Sequence, residues 1–146
     1  MTARWLTSLV RARQFQEDSA RQRLVTAERL ADRARARVRY DAERLDLLRD
    51  AGAEDSASAF VAAAVALQAA AATHAAASEA ARRASAEATD RRSDLADAAV
   101  SRRSAERLAD RVEADQRARR ATAAQHAQDE VAASVHRRKP PAETGP

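Results

Sequence analysis

Residues 24–48 read LVTAERLADRARARVRYDAERLDLL, and in and around this stretch apolar side chains recur at alternating intervals of three and four residues. The positions are Ala20, Leu24, Ala27, Ala31, Ala34, Val38, Asp41, Leu45 and Leu48. A repeat of about 3.5 residues predicts an α-helix that packs against another helix along one apolar seam. Asp41 interrupts the pattern. Towards the chain start the same spacing reaches Leu6 and Val10, and we expect the seam to fail at Arg13 and Glu17.

A turn is expected where this pattern stops, in RDAGAEDSAS, Arg49–Ser58. Gly52 tolerates a positive φ angle, and Asp55 and Ser56 can cap a following helix. The sequence therefore predicts a first helix over about residues 2–49 and a turn over about residues 50–58.

The second helix is predicted over about residues 59–139, because Pro140 and Pro141 cannot continue it. Its expected seam is weaker and richer in small residues. It comprises Phe60, Ala64, Leu67, Ala71, His74, Ser78, Ala81, Ser85, Ala88, Arg92 and Leu95. A third stretch, with Ala98, Ala105, Leu108 and Val112, is expected to resume it with a shifted phase. Residues 140–146 are predicted to be disordered.

The position of the turn sets an expected pairing. A hairpin that turns at residues 52–54 pairs residues whose numbers add to about 106–110, so Ala27 is expected near Ala81. The start of the first helix then pairs with the second helix near residue 108, and beyond that point the second helix has no expected partner. The second helix is expected to overhang by about 28 residues, or roughly 42 Å. The predicted fold class is therefore an all-α, long antiparallel two-helix coiled-coil hairpin with an overhanging second helix, forming a single domain over residues 1–139.

The composition argues against catalysis. The chain of 146 residues has no Cys and two Gly, and 33% of its residues are charged. Cysteine ligands and Gly-rich phosphate loops are therefore excluded. His74, His126 and His136 are too far apart to suggest a metal site. We expect no enzyme activity, no catalytic residues, no cofactor and no metal.

The most apolar stretch is FVAAAVALQAAAATHAAA, residues 60–77, which is mostly Ala. It is too weakly hydrophobic to predict a membrane span with Gln68 and His74 inside it. The chain start, MTARWLTSLVRAR, lacks the long apolar core of a signal peptide, so none is expected.

The net charge of +4 is spread along the chain rather than concentrated in a tail. RARARVR, Arg33–Arg39, looks like a nucleic-acid patch, but alternate residues of a helix point in different directions. Arg35 and Arg39 flank one side of the seam, and Arg33 and Arg37 lie round the other. With acidic neighbours available and no group of stacking aromatics, the sequence predicts no specific nucleic-acid partner.

Three pieces of the chain carry a family resemblance: QEDSARQRL, residues 16–24; AERLADR, Ala105–Arg111; and DEVA, Asp129–Ala132. They stand in a basic start with Trp5 and spaced Leu, a short polar turn, a Phe that opens a long helix, and a basic end. In this order, and over nearly its whole length, the chain resembles the FliJ family of flagellar type III export proteins.

The resemblance implies a non-enzymatic stalk at the centre of the hexameric flagellar export ATPase, which also contacts the membrane export gate protein and export chaperones. It implies a cytoplasmic protein at the inner face of the cell membrane, with peripheral membrane association. The Ala-rich face after Phe60 departs from what a gate-binding face would carry. The candidate partner-binding residues are Trp5, Phe60, Ala64, Leu67, Ala71, Arg111, Arg117, Arg119 and Arg120.

Three alternatives stay open. One is a cytoplasmic coiled-coil scaffold for another partner. The second is a basic helical DNA-compacting protein, which should carry a concentrated basic tail that this chain lacks. The third is an amphipathic protein of a granule or membrane surface, which should carry a strong Leu/Phe stripe that is also missing.

Overall fold

The computed structural model describes residues 2–51 and 56–138, and all but the residues around the turn are helical. Helix α1 is Thr2–Asp50 and helix α2 is Ala57–Arg138. The two helices pack against each other, which confirms the predicted all-α helical hairpin. The helix ends lie within two residues of their predicted positions. Gly52, Asp55 and the tail over residues 140–146 lie outside the described residues.

The start of α2 is fixed by Ser56. Its Oγ accepts the backbone N–H of Ala59 at 3.2 Å, and its carbonyl accepts the N–H of Phe60 at 3.0 Å. These are the contacts of an N-cap serine, which satisfies N–H groups that have no partner inside the helix. The predicted capping role of Ser56 is therefore confirmed.

The chain divides into two compact units. The central unit is Ala12–Arg102, and the terminal unit comprises Met1–Arg11 and Arg103–Pro146. Each contains part of both helices.

The buried face of α1 keeps the alternation of three and four residues without a break. In the terminal unit it begins at Leu6. In the central unit its members are at least half-buried: Arg13, Glu17, Ala20, Leu24, Ala27, Ala31, Ala34, Val38, Asp41, Leu45 and Leu48. The expected failure at Arg13 and Glu17 is therefore wrong. The backbone keeps the same face inward there, and the charged side chains meet partners rather than leave the seam.

Six of the eleven predicted seam residues of α2 do not belong to the observed alternation: Phe60, Ala64, Ala71, Ser78, Ser85 and Arg92. The observed seam runs through Leu67, Ala70, His74, Ala77, Ala81, Ala84, Ala88, Arg91, Leu95, Ala98, Arg102, Ala105, Ala109, Val112 and Gln116. Phe60, Ala64 and Ala71 are exposed, so their placement in the seam is wrong. Ala98, Ala105 and Val112 belong to the seam as predicted. Leu108 is exposed and Ala109 takes the seam position there, so the alternation continues past Leu95 without the expected shift. Between Leu67 and Ala88 most of the competing positions are Ala or Ser, such as Ala77 beside Ser78 and Ala84 beside Ser85, so few bulky side chains fix the phase there.

The pairing of the helices is displaced by one heptad from the expected one. Ala27 and Ala31 form a buried cluster with Ala88, against which Ala84 packs. Ala27 therefore faces Ala88, and its expected placement near Ala81 is wrong. The reason is an asymmetric turn: the seam ends two residues before the end of α1 but begins at Leu67, ten residues after the start of α2.

The buried core is small. The buried hydrophobic residues are Leu6, Ala20, Ala27, Ala31, Leu45, Ala70, Ala81, Ala88 and Ala105. Because seven of these nine are Ala, each layer removes little apolar area from water, at about 25 cal/mol per Å2. Close approach of the two backbones and ties between charged side chains must therefore supply much of the pairing specificity.

Cysteines introduced at Ala27 and Ala88 should form a disulfide within one chain, because the two positions belong to one buried cluster. A disulfide requires Cα atoms about 4.4–6.8 Å apart. Cysteines at Ala27 and Ala81, the matched control, should not crosslink. Mass spectrometry after mild oxidation distinguishes the two, and efficient crosslinking of the control alone would contradict the register.

The terminal unit contains the overhang. In α2, Gln116 is the last member of the seam, and from Arg117 to Arg138 every described side chain is exposed except Ser134. About 22 residues, or roughly 33 Å of helix, thus extend beyond the seam. The expected start of the overhang near residue 108 is wrong by about one heptad, because the pairing itself is displaced by that amount.

Candidate partner-binding surfaces

The overhang presents charge, many alanines and two large apolar side chains, Val131 and Val135, both exposed. Arg117, Arg119 and Arg120 are exposed, as is Arg111 just before it. Arg117 pairs with Glu113 at 3.8 Å, a contact with both side chains well exposed. Exposed pairs of this kind contribute only about 0–1 kcal/mol each, so these arginines are available to a partner at little cost.

The chain start is held by Leu6 rather than by Trp5. Leu6 is buried, and so is Ala105 of the same unit, whereas Trp5 is 51% exposed. The predicted extension of the seam to Leu6 is therefore confirmed. The indole of Trp5 stays accessible as a partner-binding candidate.

The first turns of α2 carry an exposed apolar face. Phe60, Ala64, Leu67 and Ala71 share one side of the helix by their spacing, and all but Leu67 are exposed. Val61 and Val65 are exposed beside them. Leu67 is the first seam residue of α2, whereas the exposed side chains lie before or beside the seam and α1 does not cover them.

The helix Ala57–Arg137 contains an 18-residue window with a mean hydropathy of 1.5, of which 6% is buried. Length and composition alone would let it cross a membrane, which is weak evidence about location. The window belongs to the exposed, Ala-rich part of α2.

Charged side chains tie the helices together in the central unit. Arg102 of α2 donates from Nε to Glu17 Oε2 at 2.6 Å, and Arg21 donates to the other oxygen of Glu17 at 3.0 Å. Glu17 is buried, so two guanidinium groups balance a carboxylate that would otherwise be costly to bury. The sequence pattern predicts that the seam breaks at Glu17, whereas the residue is buried in it. The sequence feature that indicates burial of Glu17 is the opposite charge of Arg102, a seam residue of the other helix.

Two further hydrogen bonds join the helices at the edge of the seam. Arg92 donates to Glu28 at 2.8 Å, and Arg35 donates to Ser85 Oγ at 3.3 Å. Both are exposed contacts between the helices. They agree with the register that the alanine cluster gives.

A polar layer stands inside the seam at Asp41. The residue is 2% exposed, and its Oδ2 accepts a hydrogen bond from Arg37 Nε at 2.8 Å, while its Oδ1 is buried without a partner. Two heptads from the pairing of Ala27 with Ala88, the register places His74 across from Asp41. His74 Nδ1 is likewise buried without a partner. A layer with two unsatisfied buried atoms costs free energy that an apolar layer would not.

Exposed ion pairs stiffen α2 itself. Hydrogen bonding from Arg82 lowers the pKa of Glu79, and bonds to Asp94 and Glu87 raise the pKa of Arg91. These partners lie three or four residues apart, where helical side chains meet. A carboxylate with a lowered pKa stabilises the helix above its ordinary pKa, and this contribution is lost as the pH falls.

Within residues 2–51 and 56–138, no group of three or more His, Asp or Glu side chains is placed to hold a metal ion. Comparison with protein-family models, with curated proteins and with solved structures finds no match for this chain.

Proposed function

We propose that this chain is a non-enzymatic component of the flagellar type III export apparatus. It acts as a coiled-coil stalk in the hexameric export ATPase and links that enzyme to the membrane export gate protein and to export chaperones. It works in the cytoplasm, at the inner face of the cell membrane. The observation that carries the proposal is the exposed overhang of α2 beyond Gln116.

Two properties support a role inside an ATPase ring. Among the described residues the overhang has no seam partner, and a long charged helix is marginal in water unless something packs against it. Its arginines are distributed around the helix rather than along one face, because Arg119 points away from Arg117 and Arg120. Such a surface offers similar weak charge contacts to each subunit of a ring as either component rotates.

The linking role rests on the other end of α2. Phe60, Val61 and Val65 are exposed on its first turns, where an apolar surface of a gate protein or a chaperone could cover them. Exposed apolar patches of this kind mark protein or membrane contacts. The two binding functions thus use different parts of the chain.

Truncation after Gln116 should abolish stimulation of the purified export ATPase, because it removes the whole overhang. It should leave the hairpin helical, since the overhang contributes nothing to the seam. A matched truncation after Arg138, which keeps the overhang, should stimulate ATP turnover like the full chain. Circular dichroism at 222 nm checks that both variants are folded.

A full-length variant with Arg117→Glu, Arg119→Glu and Arg120→Glu distinguishes the effect of the overhang's positive charge on ATPase stimulation from the effect of its length. It keeps the helix but reverses the positive charge, so stimulation should fall strongly. Equal ATP turnover with the full chain and with the chain truncated after Gln116 would refute the stalk role of the overhang.

A further inference from the structure

Helix α1 carries a second stripe with the same spacing as its seam. From the seam position Leu24 onward, one flank of the helix presents residues at alternating intervals of three and four. The stripe comprises Arg23, Thr26, Leu30, Arg33, Arg37, Tyr40, Arg44 and Leu47. All eight are exposed and all lie in the central unit. We call this set the outer stripe.

The outer stripe contains four arginines and no acidic residue. Arg33 and Arg44 form no ion pair with any residue that the structure describes, and Arg23 donates only to the backbone carbonyl of Ser19. Arg37 alone meets a carboxylate, that of Asp41. The stripe therefore presents positive charge that the chain does not neutralise.

The opposite flank of α1 is different and serves as an internal comparison. There Arg21 pairs with Asp18, Arg35 with Asp32, and Arg49 with Asp46. Three arginines of that flank are thus each neutralised by a carboxylate of the same helix. The charge of the outer stripe is thus a property of one side of α1 and not of the whole helix.

Three large apolar side chains interleave with the arginines. Leu30 is 53% exposed, Tyr40 56% and Leu47 71%. The guanidinium of Arg37 lies 5.3 Å from the centre of the Tyr40 ring, which holds both side chains on the surface in a cation–π contact. Tyrosine and arginine are the residue types that most often anchor protein interfaces.

The first half of the outer stripe borders a groove between the helices. Arg23, Thr26 and Leu30 line an open cavity of about 460 Å3 together with Glu87 and Arg91 of α2. Leu30 thus stands at the edge of a concave surface. A partner laid along the stripe would touch both helices there.

We propose that the outer stripe binds an acidic α-helix of another protein, which packs along α1 as a third helix. The alternation of three and four residues specifies a helix, because a second helix meets the first once every three or four residues. The unpaired arginines specify carboxylates on its flanks, since complementary charge selects the partner. Leu30, Tyr40 and Leu47 specify apolar residues at its centre.

A single-stranded nucleic acid fits this surface less well. Such ligands are held by a positive groove together with several aromatic side chains that stack on successive bases. The outer stripe has one aromatic residue, and its leucines offer no stacking. The inference does not depend on the proposed export role, because it concerns α1 of the central unit alone.

The test uses the full chain and a synthetic probe. The probe is a helical peptide of about four heptads, with Leu at its central positions and Glu at the flanking ones. A scrambled peptide of the same composition and a single-stranded oligonucleotide are the competing ligands. Binding is followed by fluorescence anisotropy at about 150 mM salt, where weak long-range charge effects are screened.

The ordered peptide should bind more tightly than the scrambled peptide and the oligonucleotide. Arg33→Glu with Arg44→Glu should weaken its binding roughly tenfold or more, because two favourable contacts become repulsive. Leu47→Gln, at an exposed position that costs no folding energy, should weaken it several-fold. Arg39→Glu with Arg83→Glu, which changes the net charge equally outside the stripe, should have little effect.

Equal binding of the ordered and scrambled peptides would overturn the inference. So would an equal loss of binding in the Arg39/Arg83 control, or tighter binding of the oligonucleotide than of the ordered peptide. Circular dichroism of each variant confirms that the hairpin is intact before binding is compared.

Discussion

Replacing Ala31 with glutamate is expected to unfold the hairpin. Ala31 is 1% exposed and packs in the cluster with Ala27 and Ala88. A carboxylate at this position must either be buried without a charge partner or force the helices apart. Burying an uncompensated charge costs about 3 kcal/mol or more. In a chain whose buried hydrophobic residues are mostly Ala, that is a large part of the folding free energy.

The measurement is urea denaturation followed by circular dichroism at 222 nm. Ala36→Glu is the matched control, because Ala36 is exposed on the same helix. Its stability should change by no more than about 0.5 kcal/mol. Similar unfolding midpoints for the two variants would show that Ala31 does not lie between the helices.

The double replacement Asp41→Leu with His74→Leu should have a large effect in the opposite direction. It removes two buried atoms without partners and adds an apolar layer to a seam that has few large side chains. Replacing a buried ion pair with well-packed apolar residues is often neutral or stabilises a protein by about 1–4 kcal/mol. We expect about 2–4 kcal/mol here. Arg37, which would lose its partner Asp41, is itself well exposed and can be solvated.

The same urea titration checks this variant, with Asp46→Ala as a control at an exposed carboxylate of α1. A lower midpoint in the double variant than in the unmodified chain would mean that Asp41 and His74 stabilise the seam. In that case the layer would be a favourable contact and not an unsatisfied one.

The seam of α1 could be predicted from sequence because it contains large side chains. Leu24, Val38 and Leu45 stand out from the charged residues around them, and together they fix the inward face. The prediction is wrong at Glu17, because a charged side chain can be buried when an opposite charge lies across the seam. Its burial depends on Arg102, which is 85 positions away in the chain.

The phase of α2 could not be predicted for a different reason. At Ala70 and Ala71 the two neighbouring residues are identical, and either could face α1. Periodicity in hydrophobicity carries no information where adjacent positions have the same side chain. The predicted pairing of the two helices is wrong for a related reason. A symmetric turn pairs Ala27 with Ala81, and the observed asymmetric turn pairs it with Ala88, but the sequence offers an alanine at both positions.

The candidate surfaces were predicted in part. Phe60 and the arginines at positions 117, 119 and 120 were selected from sequence, and all are exposed. The outer stripe of α1 was not selected. The sequence already places Arg33 and Arg37 on the side opposite Arg35 and Arg39, but acidic neighbours are expected to pair with these arginines. The structure shows instead that Arg33 and Arg44 form no ion pair with a described residue, and that Leu30, Tyr40 and Leu47 are exposed on the same side.

The alanine seam also affects how firmly the axial alignment of the two helices is fixed. Ala81 and Ala88 are both buried seam residues, so opposite Ala27 they present the same methyl group one heptad apart. Hydrophobic contacts therefore scarcely distinguish neighbouring alignments. The alignment is selected by ion pairs between the helices, chiefly Glu17 with Arg102 and Glu28 with Arg92. If these ion pairs were neutralised, α1 could slide along α2 by about 10.5 Å, the rise of seven residues, at a lower free-energy cost than any other deformation of the hairpin.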